Sequence, residues 1–185
     1  MAALMLAARG LGALNATHLA VFRWLTIVLV AAIAGVVAAG VFWRYALNSA
    51  LSWYEEVAKF LMVWMAFTGA PLASQVGAHA AIEVVPKVFP RRSRQLVLMA
   101  IALSVAALMV GLTQQGWRFA VNARTQVALT VGDLSMFWIF VAIPIGCAGM
   151  GLVSIELALR ALIGFVRPLE IPPDRSAEEA GQWGV

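Results

Sequence analysis

The densest run of groups that could do chemistry lies between Arg44 and Lys59, RYALNSALSWYEEVAK. Its arginine, serine, paired carboxylates and lysine suit helix capping, ion pairing and recognition rather than bond-making. Ser52 followed three residues later by Glu55 reads as a capping box, which predicts a helix starting at Trp53. Glu55 and Lys59 are one turn apart and are expected to pair. Both acids, Glu55 and Glu56, fall where a helix dipole favours negative charge, and Arg44 ends the preceding helix, where positive charge is favoured. Trp53, Glu56, Phe60 and Trp64 recur at helical spacing as one aromatic stripe with a single acid on it. Two readings stand: a well-capped hairpin of membrane helices, or an outer corner that docks a partner protein, with Arg44, Tyr45, Asn48, Ser52, Trp53, Glu55, Glu56 and Trp64 shaping it.

A second polar segment, GAHAAIEVVPKVFPRRSR, starts at Gly77. His79 and Glu83 are four residues apart and can hydrogen-bond if helix persists between them. A histidine at a membrane boundary is more often a structural cap than a proton relay, and Pro86 and Pro90 break regular helix beyond it. Val84, Val85, Val88 and Phe89 interleaved with Lys87, Arg91 and Arg92 suit a segment lying on anionic lipid. Catalytic readings fail on residue inventory. Both histidines, His18 and His79, lie near one boundary, which does not suit bis-histidine haem ligation within the helices. The single cysteine, Cys147, excludes an internal disulfide or paired-thiol redox chemistry. Neither a G-x-S-x-G elbow nor an H-E-x-x-H zinc motif occurs. The expectation is no enzyme, no metal and no cofactor.

The elements that position these groups are membrane helices. Of 185 residues, 63% are hydrophobic and 12% charged, and the mean hydropathy is +0.89. Soluble domains carry roughly 25% charged residues. Four stretches free of Asp, Glu, Lys and Arg are near the ~20 residues that cross a bilayer: 24–43, 60–78, 95–117 and 134–155. None alternates as a barrel strand would, so helices are predicted. The fold class is therefore an all-α membrane protein of four transmembrane helices. Arg9 and Arg23, then Lys87, Arg91, Arg92 and Arg94, then Arg160, Arg167 and Arg175 put nine basic residues on one side. Arg44, Lys59, Arg118 and Arg124 leave four on the other. The positive-inside rule puts both termini in the cytoplasm. Trp24 then marks the inner interface, and Trp43, Trp53, Trp117 and Trp138 the outer one. The organisation expected is a cytoplasmic N-terminal segment 1–23, a membrane domain 24–165 and a disordered cytoplasmic tail 166–185, with Met1 to Ala8 a candidate surface helix. The net charge of +4 forms no stripe, so the expected surroundings are lipids and not nucleic acid.

The apolar spans carry no ionised group, although intramembrane ionisable residues are the usual mark of an ion or substrate pathway. Four such helices are a poor coupled transporter on their own. Small residues repeat every four positions, Ala31, Gly35 and Ala39 in the first span and Ala142 and Gly146 in the fourth, and such faces let helices approach closely. Pro71 and Pro144 are expected to kink the second and fourth spans. The competing classes are a scaffold subunit of a larger transporter, a stand-alone four-helix exporter, which needs a membrane-embedded acid, and a membrane anchor for a redox complex.

Phe42, Arg44, Tyr45, Asn48, Ser52, Trp53, Glu55, Glu56, Phe60, Trp64, Gly69 and Ala70, with Gly77, His79 and Glu83 and with Pro144, Ile145 and Gly146, resemble the small membrane subunit of tripartite ATP-independent periplasmic (TRAP) transporters. The likeness covers roughly residues 20 to 165. Ser74, Gln75 and Val76 depart from it where relatives often carry basic residues. The resemblance implies a non-catalytic scaffold in the bacterial inner membrane. Its partners would be a large elevator-type permease, which carries substrate with sodium, and a periplasmic solute-binding protein, in a system for organic acid uptake.

Overall fold

A computed structural model describes the backbone of residues 2–49, 51–84, 91–132 and 134–166, and the side-chain surroundings of 10–49, 51–75, 93, 95–132 and 134–165. The long helices are α1 (Ala2–Ala46), α2 (Tyr54–Val84), α3 (Arg91–Asn122) and α5 (Ala142–Val166), with a single turn, α4 (Phe137–Phe140), leading into α5. Four segments are long and apolar enough to cross a membrane: Gly10–Ala46, Tyr54–Gln75, Gln95–Thr125 and Phe137–Phe165. All four exceed the charge-free windows read from the sequence. Segment 1–23 is continuous with the first span from Ala2 onward, so Met1 to Ala8 makes no separate surface helix within the part described. The loop 85–90 and the tail from 167 lie outside the described residues.

The helices run up and down, with α5 in the middle, packed against α1, α2 and α3. Backbone close approaches set the register. Pro71 has no N–H to give the carbonyl four residues back, that of Phe67. That carbonyl lies against Gly146 of α5, where an added Cβ would collide with it. The small residue at 146 admits the acceptor that the proline leaves unpaired, a close carbonyl-to-Cα approach. Thr68, fully buried beside it, donates to the Trp64 carbonyl (2.8 Å) and shares a hydrogen bond with Thr26 of α1 (3.1 Å). Gly149 makes room for the Phe22 ring, and Gly116 of α3 for Ile143 and Pro144. Gly40 lies under the Tyr54 ring, so α2 begins on α1. Pro144 sits in the first turn of α5, next to the break at Val141.

These contacts stagger the apolar windows. Phe22 is level with Gly149 and Met109 with Gly151, so the inner end of window 24–43 stands near the outer end of window 95–117.

Candidate functional site at the outer corner

Two loops meet at the head of α2. The first leaves α1 after Arg44 and Tyr45, both exposed in its last turn. Ser49 donates its backbone N–H to the Trp43 carbonyl (3.2 Å), and Asn48 turns the chain in the left-handed region at φ 50°. Asparagine is among the few side chains that tolerate this conformation. α2 starts at Tyr54, one residue after the predicted start, with the Val57 N–H donating to the Trp53 carbonyl (3.0 Å). Ser52 is exposed, and among the described residues its hydroxyl makes no hydrogen bond to the helix. Glu55 accepts from the Tyr54 hydroxyl (3.2 Å), and among the described residues no ion pair joins it to Lys59.

The second loop is a small hairpin. Ala128 donates to the Leu134 carbonyl (3.0 Å) and Met136 to that of Gln126 (2.9 Å), around a bridge between Val127 and Ser135. The Ser135 hydroxyl ties it to the carbonyl of Arg124 (3.0 Å), whose guanidinium lies over the Phe137 ring (4.7 Å). Glu56 fastens this hairpin to α2. Its carboxylate accepts the backbone N–H groups of Leu129 (3.1 Å) and Thr130 (2.7 Å) and also the Thr130 hydroxyl. Lys59, one turn along, adds attraction to the same carboxylate. Charge-assisted bonds of this kind are the stronger ones. Eight residues down α2, the Trp64 indole N–H donates to the Trp138 carbonyl (3.0 Å). The stripe Trp53, Glu56, Phe60 and Trp64 thus carries two polar clamps onto the last loop. Glu56→Ala is expected to speed hydrogen exchange at the Leu129 and Thr130 amides by about tenfold, while Glu55→Ala leaves them unchanged. Equal protection in both variants would mean the hairpin is held some other way.

Gly77, His79 and Glu83 lie on the α2 backbone, and their side chains fall outside the described residues. In the first span Ala31 and Gly35 face outward, with nothing within 4 Å of a Cβ built on Gly35, and Ala39 is half-buried. Ala142 and Gly146 are buried inside the bundle.

One expectation is corrected. The spans are not free of ionised groups, because α5 runs past Ile155 and carries Glu156, 9% exposed, inside the chain. It lies eighteen residues from Trp138, about 27 Å along the helix, near the far end of the membrane-crossing segment Phe137–Phe165. Arg160, one turn on, donates twice to Glu156 Oε1 (3.0 and 2.6 Å), and the amide of Asn15, 2% exposed on α1, donates to Oε2 and to the Leu152 carbonyl (3.2 Å). The pair sits at i, i+4 with the acid first, a spacing that signals pairing and extends the span rather than ending it. Asn15, Tyr54, Leu129 and Thr130 gave no such local signal.

A helical bundle with four membrane-crossing segments, clamped at one end by loop-to-helix hydrogen bonds and closed near the other by an internal ion pair, is a multi-pass protein of the inner membrane. Residues 33–164 match the family model for tripartite ATP-independent periplasmic transporters, DctQ component, and the chain belongs to that family. It is 24% identical over 122 residues to the sialic acid TRAP transporter small permease protein SiaQ of Vibrio cholerae, covering 66% of this chain and 70% of the relative. It is 29% identical over 123 residues to the sialic acid TRAP transporter permease protein SiaT of Haemophilus influenzae, covering 66% of this chain but only 20% of that much longer protein. A putative TRAP transporter small permease protein from Haemophilus influenzae is 38% identical over 47 residues, a quarter of this chain and 29% of the relative. The chain is a subunit of a TRAP transporter.

Proposed function

We propose that this subunit is a non-catalytic brace. In this reading it holds a large permease in the membrane, carries no solute itself, and presents its outer corner to a periplasmic solute-binding protein in a sodium-coupled system for organic acids. The names of SiaQ and SiaT specify sialic acid, one acid of that class. The observation that carries the reading is the outward face of α1. This helix is 45 residues long, yet Ala31 and Gly35 stand uncovered on it, and small residues are what a second membrane helix packs against closely. Two further points support it. Glu156, the buried acid of the fourth span, is already taken up by Arg160 and Asn15, and a solute pathway needs an ionisable group that is available. In SiaT the matching segment is a fifth of one polypeptide, so there a module of this kind is joined to a far larger one. The nine-to-four division of basic residues supports cytoplasmic termini and a periplasmic Glu56 corner.

Co-expression with the permease encoded alongside, followed by pull-down, tests the brace. A stoichiometric complex is the expected outcome, and Gly35→Leu with Ala31→Leu is expected to lower its yield about tenfold while the chain still inserts. A wild-type chain that purifies alone, or sodium-driven uptake by vesicles holding this chain alone, overturns the proposal.

A further inference from the structure

Arg23 is exposed on the outer surface of α1, inside the membrane-crossing segment Gly10–Ala46. Among the described residues it makes no hydrogen bond or ion pair. Its depth follows from its neighbours. The ring of Phe22, the residue before it, lies against Gly149 of α5. Gly149 is eleven residues from Trp138 and eleven from Arg160, about 16 Å either way. Thr26, three residues further out, shares a hydrogen bond with Thr68 of α2, nine residues inside Lys59. Met109 lies against Gly151, so on α3 the same depth falls near Gly111, seven residues or about 10 Å inside Arg118.

Apolar surface continues past Arg23 in both directions. Val30, Val37 and Phe42 are exposed on its outer side. A boundary drawn at Arg23 and Trp24 would strand the inner side in water, where Leu14 and Val21 of α1, Ile101 and Leu103 of α3 and Ile155 of α5 are exposed. Inclination does not change this. The average tilt of a span, about 20°, shifts α1 against α5 by only about 3 Å at an axial spacing of about 9 Å. Snorkelling carries an arginine head only the length of its own side chain, short of either boundary. Ionisable groups at such depth are costly and pair with one another. The described acids are placed elsewhere: Glu156 is held by Arg160 and Asn15, and Glu55 and Glu56 stand at the head of α2.

We propose that Arg23 pairs, within the membrane, with a carboxylate on a transmembrane helix of the permease. This rests on the brace reading above and gives its interface a chemistry. Trp24, 69% exposed, falls in line with Ala31 and Gly35, seven and eleven residues on. Cation, indole and small residues thus occupy adjoining strips of one outward surface, and arginine and tryptophan are the side chains that most often dominate an interface. Arg23 faces out of the bundle, so it lines no path inside this chain. With Arg23 in the membrane, the inner basic residues number eight against four, which favours the same orientation.

The test co-expresses the full chain with its permease. Arg23→Leu makes the first span more apolar, so insertion is not at risk. It is expected to leave the yield of this chain unchanged and to lower the yield of the complex about tenfold, because the partner's acid is left unpaired in the interface. Arg23→Lys keeps most of the complex. Arg23→Glu is expected to abolish it, and replacing one acid of the permease's membrane helices by arginine to restore it. Arg23→Cys on a Cys147→Ser background is expected to escape a water-soluble maleimide in vesicles holding the complex. An unchanged complex yield in Arg23→Leu overturns the pair, and loss of a co-purifying anionic lipid in that variant assigns Arg23 to a headgroup phosphate instead. Ready labelling of Arg23→Cys, or no permease exchange that restores Arg23→Glu, overturns it as well. Each of these leaves the brace reading standing, whereas a wild-type chain without a permease removes both.

Discussion

Replacing Arg160 by alanine is expected to cost the bundle about 3 kcal/mol, toward the lower end of the penalty for halving a buried ion pair. The lower end applies because the Arg160 side chain keeps 28% of its surface exposed, against 12% for Glu156. The loss comes from what remains behind. Glu156 would keep the Asn15 amide and lose both guanidinium bonds, leaving a carboxylate inside a helical span without its counter-charge. Removing both partners at once, as Glu156→Leu with Arg160→Met, is expected to restore most of the stability, since a packed apolar pair in place of a buried ion pair is often neutral or better. Asn15→Leu in the wild-type background strips one oxygen of its donor and is expected to cost about 1–3 kcal/mol. Denaturant or thermal unfolding in micelles, run as a double-mutant cycle over Glu156 and Arg160, reads all of these. Equal stability of Arg160→Ala and the double variant would show that the pair contributes nothing beyond packing. The cluster joins α1 to α5 near the inner end, so its loss is expected first as freer exchange of the amides before Phe22.

The presence and number of the helices were legible in the residues, because a run of about 20 apolar residues has no stable alternative in lipid. Their lengths were not. Windows drawn by excluding charge stop at Arg23 and Glu156, whereas α5 continues because Arg160 and Asn15 satisfy Glu156, and α1 continues with Arg23 exposed on its surface. Nor was the axial register legible. It is decided by close approaches such as Gly40 under Tyr54 and Gly149 under Phe22, which depend on backbone geometry and leave no periodic trace. At the outer corner the acid on the aromatic stripe was visible as an oddity, and its partners were not, since Leu129 and Thr130 offer backbone N–H groups that every residue has. The small residues divide in the same way. A four-residue repeat indicates close packing but not with whom: Ala31 and Gly35 of the first span face out, whereas Ala142 and Gly146 of the fourth face in.

That division makes Gly146 the second sharp test. A Cβ there would overlap the carbonyl oxygen of Phe67 and crowd the Phe67 Cβ at 2.8 Å, and neither atom is the free end of a flexible side chain. Helix α2 would have to move away from α5. Pro71 and Thr68, both fully buried at the same contact, would move with it. Gly146→Val is therefore expected to destabilise the chain by about 3 kcal/mol, the upper part of the range for overpacking a filled core. Gly35→Ala meets nothing within 4 Å and is expected to stabilise α1 by up to about 1 kcal/mol through helix propensity. Two glycines in similar repeats thus respond with opposite signs in the isolated chain. Larger residues separate them further: Gly35→Leu is expected to leave the midpoint of unfolding of the purified subunit alone and to act only when the permease is present. Unfolding midpoints of Gly146→Val and Gly35→Ala that fall together would mean that α2 and α5 are not packed at Phe67, and the register built on that contact would go with it.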